Sequence, residues 1–180
     1  MRNFLLIAQN IDVVPVLNAL AGHPDLWDEH TLRTTYPGTP HSQVSDILVW
    51  FNDLDQPPEA LIDDKAVAPY RAWSAIPQLR PLVFDLMRRV EGVSLGRVMI
   101  TRLPPNKEIT PHVDGGAPAT WFTRYQLMLH CLPGVIFQAG NERVAMKTGE
   151  CWMFDNTQEH SVQNGSGEDR IVLIADIRTC

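Results

Sequence analysis

The sequence predicts a mainly β domain with flanking helices, and three observations carry that prediction. From Arg97 onward, short apolar runs recur between Gly, Pro and Asn residues, at the spacing of a jelly roll or barrel. The first half is different: it holds one clear amphipathic helical stripe and one buried-strand candidate. The chain has 180 residues, 44% of them hydrophobic, with five tryptophans, which suits a single domain with a real core. Residues 1–180 therefore read as one domain, with a mixed α/β flanking region over 1–96 and a β core over 97–180.

The elements follow in order. Asp12 to Leu20 reads as a short helix, with Pro15 in its first turn and Gly22 beyond its end. Ile47-Leu48-Val49-Trp50-Phe51 is an apolar run of strand length. Residues Asp53 to Pro69 include Pro57 and Pro58 and read as a loop. A helix over Gln78 to Val90 carries the stripe Leu79, Leu82, Val83, Leu86, Met87 and Val90, with Pro81 in its first turn. Strands are predicted near Val98–Leu103, Thr120–Leu132, Val135–Ala139, Val144–Met146, Cys151–Phe154, His160–Gln163 and Ile171–Ile177. In the long strand, Phe122, Arg124, Gln126, Met128 and His130 share one face. If that face lines the barrel, Arg124 reaches inward and needs an anionic partner.

Composition narrows the partners. The net charge of −6 implies no broad basic surface, so nucleic acid is not expected as a partner. Cys131, Cys151 and Cys180 are few and irregularly spaced, which argues for reduced thiols and a cytoplasmic location. The opening apolar run is too short for a signal-peptide core, and no membrane span is evident.

The chemistry-bearing residues are His112-Val113-Asp114, His160 and Arg170. Two histidines and one carboxylate are the set that holds a non-haem iron and leaves coordination positions open. His112 and Asp114 lie two apart, so on extended backbone they project to the same side. The run from Glu159 through Gly165-Ser166-Gly167 into Arg170-Ile171 reads as a hairpin. With the turn centred on Gly165, His160 and Arg170 face each other, Cβ atoms about 5 Å apart. Taken singly, each residue has an ordinary reading: a loop histidine, a turn former, a strand histidine, a solvated strand start. Their joint order favours a site. His23, His30 and His41 lie in polar loop-like stretches and read as surface residues.

From about Arg97 to Ile177 the chain resembles the aspartyl/asparaginyl β-hydroxylases, oxygenases built on a double-stranded β-helix (a cupin-like jelly roll). The resemblance rests on Pro111-His112-Val113-Asp114, Arg124-Tyr125-Gln126, Gly149-Glu150-Cys151-Trp152-Met153-Phe154-Asp155-Asn156-Thr157, Glu159-His160-Ser161-Val162 and Asp169 to Asp176. It implies Fe(II), 2-oxoglutarate and O2. His112, Asp114 and His160 would be metal ligands, and Arg170 the partner of the distal 2-oxoglutarate carboxylate. Thr101 falls where the family places a hydroxyl for that carboxylate, and Arg124 on an arginine near co-substrate and substrate. Gln126 stands where Arg-X-His is usual, and Asn106 where a glycine is common. The implied function is hydroxylation of a C–H bond in a small amino-acid-like or peptidyl substrate. Two other readings remain: a cupin-like metalloenzyme that does not use 2-oxoglutarate, for which an arginine at this distance is unnecessary, and a non-catalytic jelly-roll binding module.

Overall fold

The computed structural model describes residues 3–180, and of residues 58 and 59 the backbone alone. The opening apolar run forms β1 (Phe4–Ala8), and Met1 and Arg2 ahead of it lie outside the described residues. Helix α1 (Val14–Gly22) follows, then a 3-10 turn at Pro24–Leu26, α2 (Leu32–Thr35) and β2 (Ser45–Phe51). Next come α3 (Pro58–Asp63), β3 (Ala68–Pro69), α4 (Arg71–Ala75) and α5 (Leu79–Arg89). The remainder is β4 (Gly92–Leu103), β5 (Glu108–His112), α6 (Gly116–Trp121), β6 (Thr123–His130), β7 (Val135–Ala139), β8 (Glu142–Val144), β9 (Cys151–Phe154), β10 (His160–Asn164) and β11 (Arg170–Thr179).

Two antiparallel sheets result. The larger runs β1-β9-β6-β11-β4-β2-β3 and the smaller β5-β10-β7-β8. Side-chain parity sends each strand of the large sheet both ways. Leu173, Ala175, Val98, Ile100, Leu127 and Leu129 face the helices, where they meet Val16, Leu20, Leu79 and Val83. Val172, Ile174, Met99, Leu103 and Met128 face the small sheet, where they meet Ile109, Phe137 and Val162. Helix α5 has no side-chain cap, so its docking depends on the fully buried Leu79 and Val83. Truncating Leu79 to alanine would cost about 2–5 kcal/mol.

The mainly β double-sheet architecture agrees with the sequence-based expectation, and the departures are local. The stretch read as the start of a long strand is α6, whose Ala117-Pro118-Ala119 opening favours a helical turn; Thr120 Oγ1 donates to Ala117 O at 3.2 Å. The Asp53–Pro69 loop contains α3 and β3, because Pro57-Pro58 starts a helix rather than preventing one. The strand placed at Val144–Met146 lies earlier, at Glu142–Val144. The boundary read at 96/97 falls within β4, and β1 and β2 complete the same sheet as the later strands.

The largest correction concerns the connection after β10. It is an arch between sheets, not a hairpin: β10 pairs with β5 and β7, whereas β11 pairs with β4 and β6. Buried Asn164 holds the arch, donating through Nδ2 to Leu103 O and Glu168 O, both at 2.9 Å, and accepting from Ser166. These bonds satisfy the backbone that a hairpin ladder would otherwise have used.

Candidate metal and co-substrate centre

Strand pairing builds the centre. His112 ends β5 and His160 begins β10, and the two are direct cross-strand partners. Their ring centroids stand 4.2 Å apart. Before β5 the chain turns at Asn106, whose φ of 58° is left-handed backbone; asparagine tolerates that region, which explains its standing where glycine is common. Asp114 lies just past β5, and its backbone N–H donates to Asn156 O at 3.3 Å. One ligand atom from each of His112, Asp114 and His160 falls within 4.8 Å of the others.

Each side chain is oriented by a second contact. The Nδ1 atoms of His112 and His160 donate to the carbonyls of Thr110 and Gln158, at 2.8 and 3.0 Å. That tautomer leaves both Nε2 lone pairs free, and the His112 Nε2 is buried with no hydrogen-bond partner. Asp114 Oδ2 accepts from Arg124 Nη1 at 2.6 Å and Asn156 Nδ2 at 3.3 Å. Its Oδ1 faces the Nε2 atoms of His112 and His160 at 3.6 and 3.9 Å. Ligands about 2.1 Å from one ion are at most about 4.2 Å apart, so both separations fit a shared metal. Burial pushes the His160 pKa down to about 4, against the opposing pull of Asp114, so the ring is a neutral ligand at pH 7. Burial would raise the Asp114 pKa, but Arg124, the two histidines and Asn156 override it and hold the carboxyl below its ordinary value.

Around this triad lies a cavity of about 550 Å³ between the sheets. Arg170, Gln126, Thr101 and Arg124 all line it. Arg170 is only 2% exposed. Its Nη2 donates to Gln126 Oε1 at 2.8 Å, and no carboxylate pairs with it among the described residues. Burial pushes its pKa down to about 10. A buried, uncompensated guanidinium is expensive for the fold and is the complement of an incoming anion. Gln126 thus orients Arg170.

Two of the expected contact residues also have protein partners. Arg124 was expected to meet a co-substrate or substrate anion, but protein carboxylates already match its charge. Its Nε and Nη2 grip Asp176 at 2.7 and 2.8 Å, and its Nη1 grips Asp114. Burial would lower the Arg124 pKa, but the two aspartates outweigh it and raise it. Thr101 was expected to offer its hydroxyl to 2-oxoglutarate. Instead Oγ1 donates to Asp46 Oδ1 at 2.7 Å and accepts from Arg33 Nη2 at 3.0 Å.

Several contributors were not legible beforehand. Asp176 sits in an otherwise apolar strand and is 3% exposed; a lone carboxylate in such a run was the available signal. Asn156 lies in the Gly149–Thr157 stretch but had been given no role. His41 and His30 are not simple surface residues: both line the cavity, and His41 packs edge-on against His112 at 4.9 Å with its Nδ1 buried and unpartnered. Burial, followed by the nearby Arg33 charge, strongly depresses the His41 pKa, so it is neutral. The three cysteines are unpaired, with Cys180 exposed. Among the described residues, no helix is long and apolar enough to cross a membrane.

The model of the aspartyl/asparaginyl β-hydroxylase family matches residues 61–179. Solved structures with the same fold include a prolyl hydroxylase from Trichoplax adhaerens bound to a hypoxia-inducible-factor peptide. It is 14% identical, with TM-score 0.59, covering 98% of this chain and 83% of that one. A prolyl-4-hydroxylase from Pseudomonas putida is 15% identical, with TM-score 0.54, covering 100% and 94%. The non-haem α-ketoglutarate-dependent epimerase SnoN of nogalamycin biosynthesis is 15% identical, with TM-score 0.63, covering 98% and 78%. At these identities the likeness establishes the double-stranded β-helix fold. Curated protein sequences gave no match.

Proposed function

The chain belongs to the aspartyl/asparaginyl β-hydroxylase family, and on that premise we propose that it is an Fe(II)- and 2-oxoglutarate-dependent dioxygenase acting through His112, Asp114, His160 and Arg170. The carrying observation is the buried Arg170, which has no carboxylate partner among the described residues and faces the same cavity as the triad. A metalloenzyme of the same fold that did not use 2-oxoglutarate would bear the burial cost of this charge without return. We take the substrate to be an amino-acid-like small molecule or a peptidyl residue.

The residues divide the work. His112 Nε2, His160 Nε2 and Asp114 Oδ1 would hold Fe(II) from one side. Bound Fe(II), with 2-oxoglutarate and O2, supplies the oxidation that turns a substrate C–H into C–OH while 2-oxoglutarate becomes succinate and CO2. Arg170 pairs with the distal carboxylate of 2-oxoglutarate, and Gln126 holds that guanidinium in place. Arg124 and Asn156 occupy Asp114 Oδ2 and so aim Oδ1 at the histidines. Phe137, Phe154 and Val162 wall the cavity and exclude water. The test is iron-dependent conversion of 2-oxoglutarate to succinate. Wild-type protein should show it and His160→Ala should not; succinate formation that is independent of added iron, or retained in His160→Ala, would refute the reading.

A further inference from the structure

Four arginines line the cavity, and two have their charge matched by buried carboxylates. Arg33 makes a two-bond pair with Asp46, at 2.8 and 2.9 Å, and Arg124 is held by Asp176 and Asp114. Arg170 and Arg97 have no carboxylate partner among the described residues. The function proposed above gives Arg170 an anion. Arg97 remains.

Arg97 stands on the same inner face of β4 as Met99, Thr101 and Leu103. Leu103 is the cross-strand partner of Arg170, and Arg97 lies six residues away from it. That is about 20 Å of extended strand. Its guanidinium is fixed at its own end, where Nε donates to Asn52 Oδ1 at 2.6 Å and Nη2 to Leu61 O at 2.9 Å. It lies over the Phe51 ring, 4.9 Å from the centroid. Both acceptors are neutral, so they orient the cation without compensating it. Burial, then the Arg124 charge, lowers its pKa against the opposing pull of Asp176, Asp114 and Asp64. Nη1 makes no hydrogen bond among the described residues, and Arg97 lines the cavity. The nearby lining is apolar: Phe51, Leu54, Leu61, Ile62 and Met99.

A fixed cation with one free edge, set among apolar side chains, is complementary to a carboxylate on an apolar body. We propose that Arg97 anchors the substrate's carboxylate, and that the substrate is an apolar amino acid, free or at a chain end, bound across the metal from 2-oxoglutarate. This rests on the oxygenase reading above.

The test uses full-length protein loaded with Mn(II) and 2-oxoglutarate, which binds without turning over. Calorimetry would compare the proteinogenic amino acids as free acids, as carboxamides, and at the C-terminus of short peptides. At least one apolar acid should bind roughly ten- to a hundredfold more tightly than its carboxamide, the range of a charge-assisted hydrogen bond. Binding of the free acid alone identifies a free amino acid, and binding of both acid and peptide identifies a chain end. In Arg97→Gln the preference for the acid should shrink to within about twofold, since glutamine serves acid and amide alike, while 2-oxoglutarate still binds. Equal binding of acid and carboxamide by the wild-type protein would overturn the proposal, whether or not the variant folds. So would an undiminished acid preference in the variant. Failure of 2-oxoglutarate itself to bind would bring down the oxygenase reading first.

Discussion

Arg124 Nη1 donates to Asp114 Oδ2 at 2.6 Å, leaving Oδ1 as the atom that faces the two histidines. The same guanidinium grips Asp176 from the next strand, so one arginine both aims a metal ligand and neutralises a buried acid. Arg124→Gln should therefore weaken metal binding about 10- to 100-fold. It should also destabilise the fold by about 3–5 kcal/mol, because Asp176 is left buried without its cation. Metal titration and chemical denaturation measure the two effects separately. A variant with intact metal affinity would show that Asp114 needs no such support.

Arg170→Met should separate stability from function. Loss of a charge-assisted contact to a buried anion raises the 2-oxoglutarate requirement by about 2–5 kcal/mol. The ligand-free protein should be no less stable than wild type, since an uncompensated buried charge has been replaced by an apolar side chain of similar length. Steady-state kinetics and thermal unfolding without ligands give both numbers, and a large drop in midpoint would mean that Arg170 has a protein partner.

Metal should stabilise the folded chain. Fe(II), or Mn(II) under air, at about 100 times its dissociation constant should add about 2.7 kcal/mol. His160→Ala and His112→Ala should lose this increment. An unchanged shift in either variant would move the metal elsewhere.

The cysteines provide a pH test. Burial pushes the Cys151 thiol up to about 12, whereas an unfolded thiol titrates near 9.0. Between these values the folded state keeps a proton that the unfolded state releases. Stability should thus be intact below pH 9 and fall as pH rises toward 12, by up to about 1.4 kcal/mol per unit. Cys151→Ala should flatten that slope. In native protein at pH 8, an alkylating reagent should label the exposed Cys180 and spare the buried Cys131 and Cys151, which mass spectrometry can read.

The residues differ in how much of their role could be read from local pattern. The alternation put Arg124, Gln126 and Met128 on one face, because side-chain parity depends on neighbours along the chain alone; that this face is the inner one comes from the tertiary structure. The same holds for the α5 stripe and for β7 and β9, whose predicted bounds agree with the structure. The arch from Asn164 to Arg170 was misread because Gly165-Ser166-Gly167 suits a tight turn equally well within one sheet or between two. The discriminating contact is Asn164 to Leu103 O, sixty-one residues away, and it leaves no local trace.

By itself, then, the sequence determined a β core with a helix carrying an apolar stripe, which residues share a face of its long strand, and four residues suited to iron and a dicarboxylate. Tertiary structure decided which of them meet. It set His160 beside His112 rather than Arg170, paired Arg124 with Asp114 and Asp176 and Thr101 with Asp46, and left Arg97 and Arg170 lining the cavity with no carboxylate partner among the described residues. The physical reason is that alternation specifies a side chain's face but not its strand's neighbour. Neighbours come from pairing across long chain separations, and the charge balance of a buried arginine depends on those neighbours.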